Sequence, residues 1–271
     1  MRPAEEQPFS LQSTNDGTSI INYSRCDDRH NVGDAHSSPL RYFDFGRPVL
    51  YRDILTVAAS SVFSDPRQPV IVGGGGLFFP RWTEKIRRLT ERCIGPLIVW
   101  GAGVNEHHKV TSALPEYLRR FNLVGIRDFG LGYEWVPCAS CMHHGFDKPR
   151  TIKHEIVVYS HHCHLLPLRE FPSLANNSMD LVTVLDFLGS ADVILTNTYH
   201  GAYWGILLGR KVIAFPFSSR FHYLKYKIPL CSWQTWRDFV RHARTFPGAL
   251  AECRAANIRF GGRVRSLLCT I

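Results

Sequence analysis

The 271-residue chain has 45% hydrophobic and 20% charged residues, the balance of a globular protein and not of a disordered or fibrous one. A formal net charge of +9 points to an anionic partner, with nucleic acid, an anionic membrane face and a phosphorylated substrate all open. No apolar run approaches the roughly 20 residues that span a bilayer, the polar start has no apolar signal core, and eight scattered cysteines read as reduced thiols, so the cytosol is the expected compartment.

After a polar lead-in over residues 1–17, residues 18–23 (TSIINY) form the first predicted strand and 24–38 a polar loop. Residues 52–63 are predicted as a helix from Ile54, Leu55, Ala58 and Ala59 on one face. Residues 69–72 (PVIV) form a strand ending in Gly73, Gly74, Gly75 and Gly76, and 81–93 a basic amphipathic helix. Residues 97–100 (LIVW) end in Gly101 and Gly103, residues 111–121 read as helix, and 123–126 (LVGI) end in Arg127 and Asp128. Short apolar strands alternating with helices, with glycine at the strand ends, predict βαβ units and a parallel sheet.

Residues 143–153 are polar and contain a proline, which places a boundary there: a lobe over 1–147 and a second over 148–271. The second has predicted strands at 155–159, 192–195 and 211–215, helices at 179–188 and 203–208, and terminal helices at 235–245 and 248–268. The predicted fold class is α/β: two Rossmann-like lobes, GT-B-like, with parallel sheets and a cleft between them.

In open α/β sheets, ligands bind beyond the carboxyl ends of the strands. Asn31–Val–Gly–Asp34, the four glycines, Arg127 and the segment Asn197–Thr198–Tyr199–His200–Gly201 all fall at such ends. The glycine run lacks the Gly-Lys-Ser/Thr of a Walker A loop and the spacing of a dinucleotide fingerprint. Its amides, at Gly74, Gly75 and Gly76, are candidates for an anion. Asn31 and Asp34 either cap a helix or contact substrate. His200 either packs beside a helix start or exchanges a proton. Arg127, Arg220 and Lys225 are candidate anion ligands. Cys138 and Cys141 with His143 and His144 look like half a zinc site, and His161–His162–Cys163–His164 lies further on; one Cys-x-x-Cys pair falls short of four ligands, so packed thiols and no metal are expected.

Taken in order, these pieces resemble the polysaccharide pyruvyl transferase family: an N-x-G-D loop, a Gly-rich strand end, a G-x-G strand end, Arg127–Asp128, the segment 192–201 and a final strand with a basic loop over 211–225. The length and the TYHGAYWG wording are similar to the ketal pyruvate transferases of xanthan-type exopolysaccharides. The family often carries R-x-H at the histidine; here Thr198 stands two before His200. The resemblance implies phosphoenolpyruvate as donor substrate, no cofactor, and an oligosaccharide acceptor linked to a lipid diphosphate. It implies His200 and Asp34 as catalytic residues and Gly74, Gly75, Gly76, Arg127, Arg220, Lys225, Asn197 and Thr198 around the donor. Asn31, Tyr199 and Trp204 then face the acceptor, although Trp204, like Trp233 and Trp236, reads first as a packing residue. Peripheral contact with an anionic membrane, at the cytoplasmic face of the inner membrane, follows, through Arg81, Lys85, Arg87, Arg88 and Arg92 if these are more than a solvated helix face. Two other readings are a GT-B-like glycosyltransferase using a nucleotide sugar and a non-catalytic membrane or nucleic-acid binder; no nucleic-acid motif is present.

Overall fold

The computed structural model describes residues 19–25, 31–57, 65–107, 114–177 and 180–270. Within them the chain forms two wholly parallel sheets, the two-lobed arrangement expected from the sequence. The N-terminal sheet runs β2-β1-β3-β4-β5-β6, with β1 Ile20–Ser24, β2 Val49–Asp53, β3 Val70–Gly73, β4 Leu97–Ala102, β5 Leu123–Ile126 and β6 Glu134–Trp135. The C-terminal sheet runs β10-β9-β7-β8, with β7 His154–Ser160, β8 Ser173–Ala175, β9 Ala191–Thr196 and β10 Lys211–Ala214. The helices are α1 Val32–Ala35, α2 Pro80–Arg92, α3 Leu181–Gly189, α4 Tyr199–Leu207 and α5 Ala249–Cys269.

Strands β3 and β4 are buried at every position, which is why they read as unbroken apolar runs: a sheet covered on both faces has no polar side. One face is covered by α2 through Trp82, Ile86 and Leu89. The other is covered by α5, whose Phe260, Val264 and Leu268 pack on Ile20, Ile71, Ile98 and Trp100. The first part of α5 lies elsewhere: Ala249 and Cys253 join the core of the second lobe with Trp204, Tyr203 and Leu188. One helix therefore contributes to both cores.

Strand order fixes where the site can be. In the first sheet the chain steps from β1 to β2 on one side and then reverses to β3 on the other, so β1 and β3 diverge at a switch point. In the second sheet β7 and β9 do the same. A crevice opens beyond the carboxyl ends of such a strand pair. The loops that leave β1, β7 and β9 meet one another there, as described below.

Some predicted elements differ. The helix expected over 52–63 is instead the end of β2 and a 3-10 turn, Ile54–Thr56, capped by Asp53 through the Leu55 amide; residues 58–63 lie outside those described. The reason is pairing: β2 lies in register with β1, Ile20 opposite Val49 and Ser24 opposite Asp53. Of the helix expected over 111–121, residues 114–115 precede a single 3-10 stretch, Glu116–Arg120, and 111–113 are outside the described residues. The helix expected over 235–245 is likewise 3-10, Trp236–His242. The polar stretch 24–38 contains α1, and its residues 26–30, like the lead-in over 1–17, residue 18 of the first predicted strand and residue 179 of the helix expected over 179–188, lie outside the described part. In the basic helix α2, Arg87 and Arg88 pair with Glu84, Arg87 also with Glu91, and Lys85 donates to the Leu55 and Val57 carbonyls, so two glutamates offset part of the charge of five cations. No helix among the described residues is long and apolar enough to cross a membrane.

Candidate functional site

A pocket lies between the lobes. Asn31 and Gly33 line it from the first lobe; Tyr159, Asn176, Thr198, His200 and Arg220 line it from the second. The lobes are stitched together at its edge. Asn176 O accepts from the Val32 amide at 3.2 Å, and Asn176 Nδ2 donates to Asn31 Oδ1 at 3.3 Å. Further along, Ser219 and Glu106 exchange two bonds, Ser219 N to Glu106 O and Glu106 N to Ser219 Oγ.

Local sequence explains how each side chain is aimed. Asn31 is the N-cap of α1, its Oδ1 accepting from Gly33 N at 3.1 Å while its Nδ2 donates to Asp34 Oδ2 at 2.9 Å. The capping and pocket readings of Asn31 hold together. Thr198, at the position where the family often has arginine, is the N-cap of α4 and accepts from Gly201 N at 2.8 Å. That cap starts α4 four residues earlier than expected and drives His200 into its buried first turn.

His200 is enclosed. Its ring lies 5.0 Å from the Trp204 ring and its Nε2 lies 3.6 Å from Cys138 Sγ. Burial, then the charges of Arg127, Arg220 and His36, pull its pKa well below the usual histidine value. The imidazole is therefore neutral near pH 7. A resting neutral ring can accept a proton; it is not a standing acid.

Two arginines flank it. Arg127 is buried under the Tyr199 ring, its guanidinium carbon 4.1 Å from the ring centroid, and its Nε has no hydrogen-bond partner among the described residues. Asp128 Oδ1 is 3.9 Å from that nitrogen, too far for a hydrogen bond. Arg220 lines the pocket, and burial together with Arg127 lowers its pKa to about 10, still fully charged at neutral pH. The Tyr159 hydroxyl, also at the pocket, is buried without a partner. Buried donors left unpaired are costly and call for an acceptor. Arg220 and Tyr159 therefore line the pocket itself, while Arg127 stands outside its lining, behind Tyr199 and beside Asp128.

The other expected residues are placed differently. Trp204 is fully buried, its Nε1 donating to Ser140 Oγ at 3.0 Å, so its face backs His200 and meets no sugar. Lys225 pairs with Glu252 and lies 4.3 Å over the Trp135 ring. Asn197 holds a loop, accepting from His161 N at 2.7 Å and donating to His164 O at 2.6 Å. Gly74 and Gly75 take positive φ values, and a Cβ on Gly74 would stand 2.3 Å from the Ser37 carbonyl oxygen. The Gly74 amide donates to Trp100 O, so this run lets segment 34–37 sit on the sheet. An added Cβ on Gly76 would lie 3.2 Å from Arg127 Nη2, which puts the end of the run beside a guanidinium. Asp34 sits in α1 and supports the charge of Arg220 electrostatically. Cys138 and Cys141 point apart, Cys138 toward Ser140 and His200 and Cys141 toward Asn257. Sequence reasoning missed Tyr159, His161 and Asn176, all carried by the carboxyl ends of β7 and β8.

Fold and site together define a two-lobed α/β protein with a pocket between its lobes lined by a buried histidine and a charged arginine. No family model matches the chain, and a search of curated proteins gives no match either. Among solved structures, an uncharacterized protein from Klebsiella pneumoniae is 14% identical over 73% of this chain and 84% of its own, with a TM-score of 0.45. The glycotransferase of kitacinnamycin is 11% identical over 94% of this chain and 95% of its own, with a TM-score of 0.37.

Proposed function

We propose that this chain is a pyruvyl transferase, taking phosphoenolpyruvate as donor and building a pyruvate ketal on a sugar of an oligosaccharide acceptor. One observation carries the reading: a neutral His200 shares a pocket with Arg220, and Arg127, whose charge also depresses the histidine pKa, is stacked on the adjoining Tyr199 ring. Phosphoenolpyruvate presents a phosphate and a carboxylate a few bonds apart, and two guanidiniums answer them.

In this reading the tautomer with Nε2–H donating to Cys138 Sγ leaves the Nδ1 lone pair toward Gly33 and the pocket. A proton relayed from water through Nδ1 reaches the methylene carbon, which becomes the methyl and leaves an oxocarbenium-like centre. The oxygen of one acceptor hydroxyl bonds to that centre and gives its proton back to Nδ1. A second hydroxyl of the same sugar displaces phosphate, and its proton leaves with the phosphate. Arg127 and Arg220 stabilise the charge that gathers on the leaving group. The surplus of nine positive charges supports an anionic, lipid-diphosphate-linked acceptor met at a cytoplasmic membrane face.

The test is phosphate release from phosphoenolpyruvate with and without a lipid-linked or synthetic oligosaccharide, for wild type and His200→Ala. Acceptor-dependent release that disappears in the variant supports the proposal. No release with any acceptor, together with turnover of a nucleotide sugar, overturns it in favour of a glycosyltransferase.

A further inference from the structure

We infer that His161, His162 and Cys163 form a three-ligand site for a divalent cation of the zinc class at the rim of the pocket. One ligand atom from each side chain lies within 4.8 Å of the other two. A zinc ion with bonds of about 2.0–2.3 Å holds its ligands about 4 Å apart or less, so the loop needs to contract by about an ångström.

The loop is a tight turn in which the Cys163 amide donates to His161 Nδ1 at 3.2 Å, a bond that gives way when His161 turns that nitrogen to a metal. His164 N donates to His161 O at 2.8 Å, closing a tight turn, and Asn197 fastens both of its ends. Asn176 sets the His162 tautomer. Its Nδ2 donates to Asn31 Oδ1, so its Oδ1 is an acceptor. That oxygen lies 2.9 Å from His162 Nδ1 and also accepts the His162 amide at 2.8 Å. Nδ1 must then carry the proton, which leaves the Nε2 lone pair for a metal. A metal-binding histidine characteristically donates its other nitrogen to an oxygen in this way. Cys163 is exposed and supplies a thiolate once a cation displaces its proton.

Two imidazoles and a thiolate are the donor set of zinc, and three protein ligands leave a fourth position open. His161 also lines the pocket that holds His200 and Arg220. A cation there adds positive charge at the mouth of that pocket.

Cobalt(II) is the probe, because it takes the same ligands and reports thiolate coordination by absorption. Titration of the untagged chain should give a thiolate-to-cobalt charge-transfer band saturating at one equivalent and bleached by zinc. Cys163→Ser should abolish the band, and His162→Ala should weaken binding at least tenfold. Asn176→Ala, which frees the His162 ring, should weaken it by about 10- to 100-fold. Cys269→Ser, which removes another exposed thiol, should leave the band intact. Absence of the band at stoichiometric cobalt, or a band that survives Cys163→Ser, overturns the site. Neither readout depends on turnover, so failure here is separable from failure of the pyruvyl-transfer reading.

Discussion

A Cβ added to Gly33 would fall 1.9 Å from Nδ1 of His200, although the two residues belong to different lobes. The helix that begins at Asn31 thus presents bare backbone to the imidazole, and only glycine leaves the ring its place. The ring has nowhere to retreat, because Trp204 and Tyr199 pack around it.

Gly33→Ala is expected to displace His200 and lower acceptor-dependent phosphate release by about a hundredfold or more, the usual consequence of moving a reacting group by an ångström. The clash predicts strong coupling. In a His200→Ala background the same Gly33→Ala change should cost less than about 0.5 kcal/mol in a urea melt. Equal cost in both backgrounds would mean the two residues do not meet.

Acid should destabilise the chain earlier than its carboxylates alone require. His200 is held below the usual histidine pKa by burial and by Arg127 and Arg220, and His143 is held down to about 4 by burial and by His144 and His36. A lowered folded pKa means that the unfolded chain binds the proton first. Stability is therefore intact above pH about 6.5 and falls below it, by up to about 1.4 kcal/mol per pH unit for each such histidine. Urea melts between pH 7.5 and 5 should show a shallower loss for His200→Gln than for wild type.

Arg127 and Arg220 are expected to act on both affinity and pH response. Arg127→Gln should raise the KM for phosphoenolpyruvate by about 10- to 100-fold, since a charge-assisted bond of about 1.5–3 kcal/mol is lost. It also removes a positive neighbour that lowers the His200 pKa, so the acidic limb of the pH–rate profile should move to higher pH. Arg127→Lys keeps the charge and should leave that limb near its original place while still losing affinity. An unmoved limb in Arg127→Gln would detach this arginine from His200.

Asn197 offers a purely structural prediction. Alanine there leaves the His161 amide and the His164 carbonyl without their partner, at a cost of about 2 kcal/mol in equilibrium unfolding. The sequence placed Asn197 at the donor; a variant with normal stability and a raised donor KM would restore that assignment.

The strands most legible in the sequence were those with apolar runs cut off by glycine or polar residues: β3, β4, β5, β7, β9 and β10. Strand β2 was not, because Val49–Asp53 forms a sheet edge with exposed Leu50 and Tyr51, and its apolar spacing fits a helix as well as a strand. Strands β6 and β8 are too short to carry any period. Of the site, Asn31, Arg127, Thr198, His200 and Arg220 were visible because each follows a readable strand. Tyr159 and His161 had a signal too: β7 was seen, and the rule applied to the other strand ends reaches them, whereas Asn176 follows β8 and had none. What no pattern could give was the pairing of Arg127 with Tyr199, or of Gly33 with His200, since these arise only when two sheets meet.

Helix α5 has a bearing on how the crevice can open. Its first turns are seated among the side chains of the second lobe and its last turns against Trp100 and Ile98 of the first. Asn257, midway, donates to Pro137 O and accepts from the Trp100 indole. A 21-residue rod anchored at both ends is a splint. The lobes can rock about it only as far as one anchorage yields. A fragment ending at residue 147 would leave Ile71, Ile98 and Trp100 without their cover, so the first half of this chain cannot be taken as a self-sufficient unit however complete its sheet.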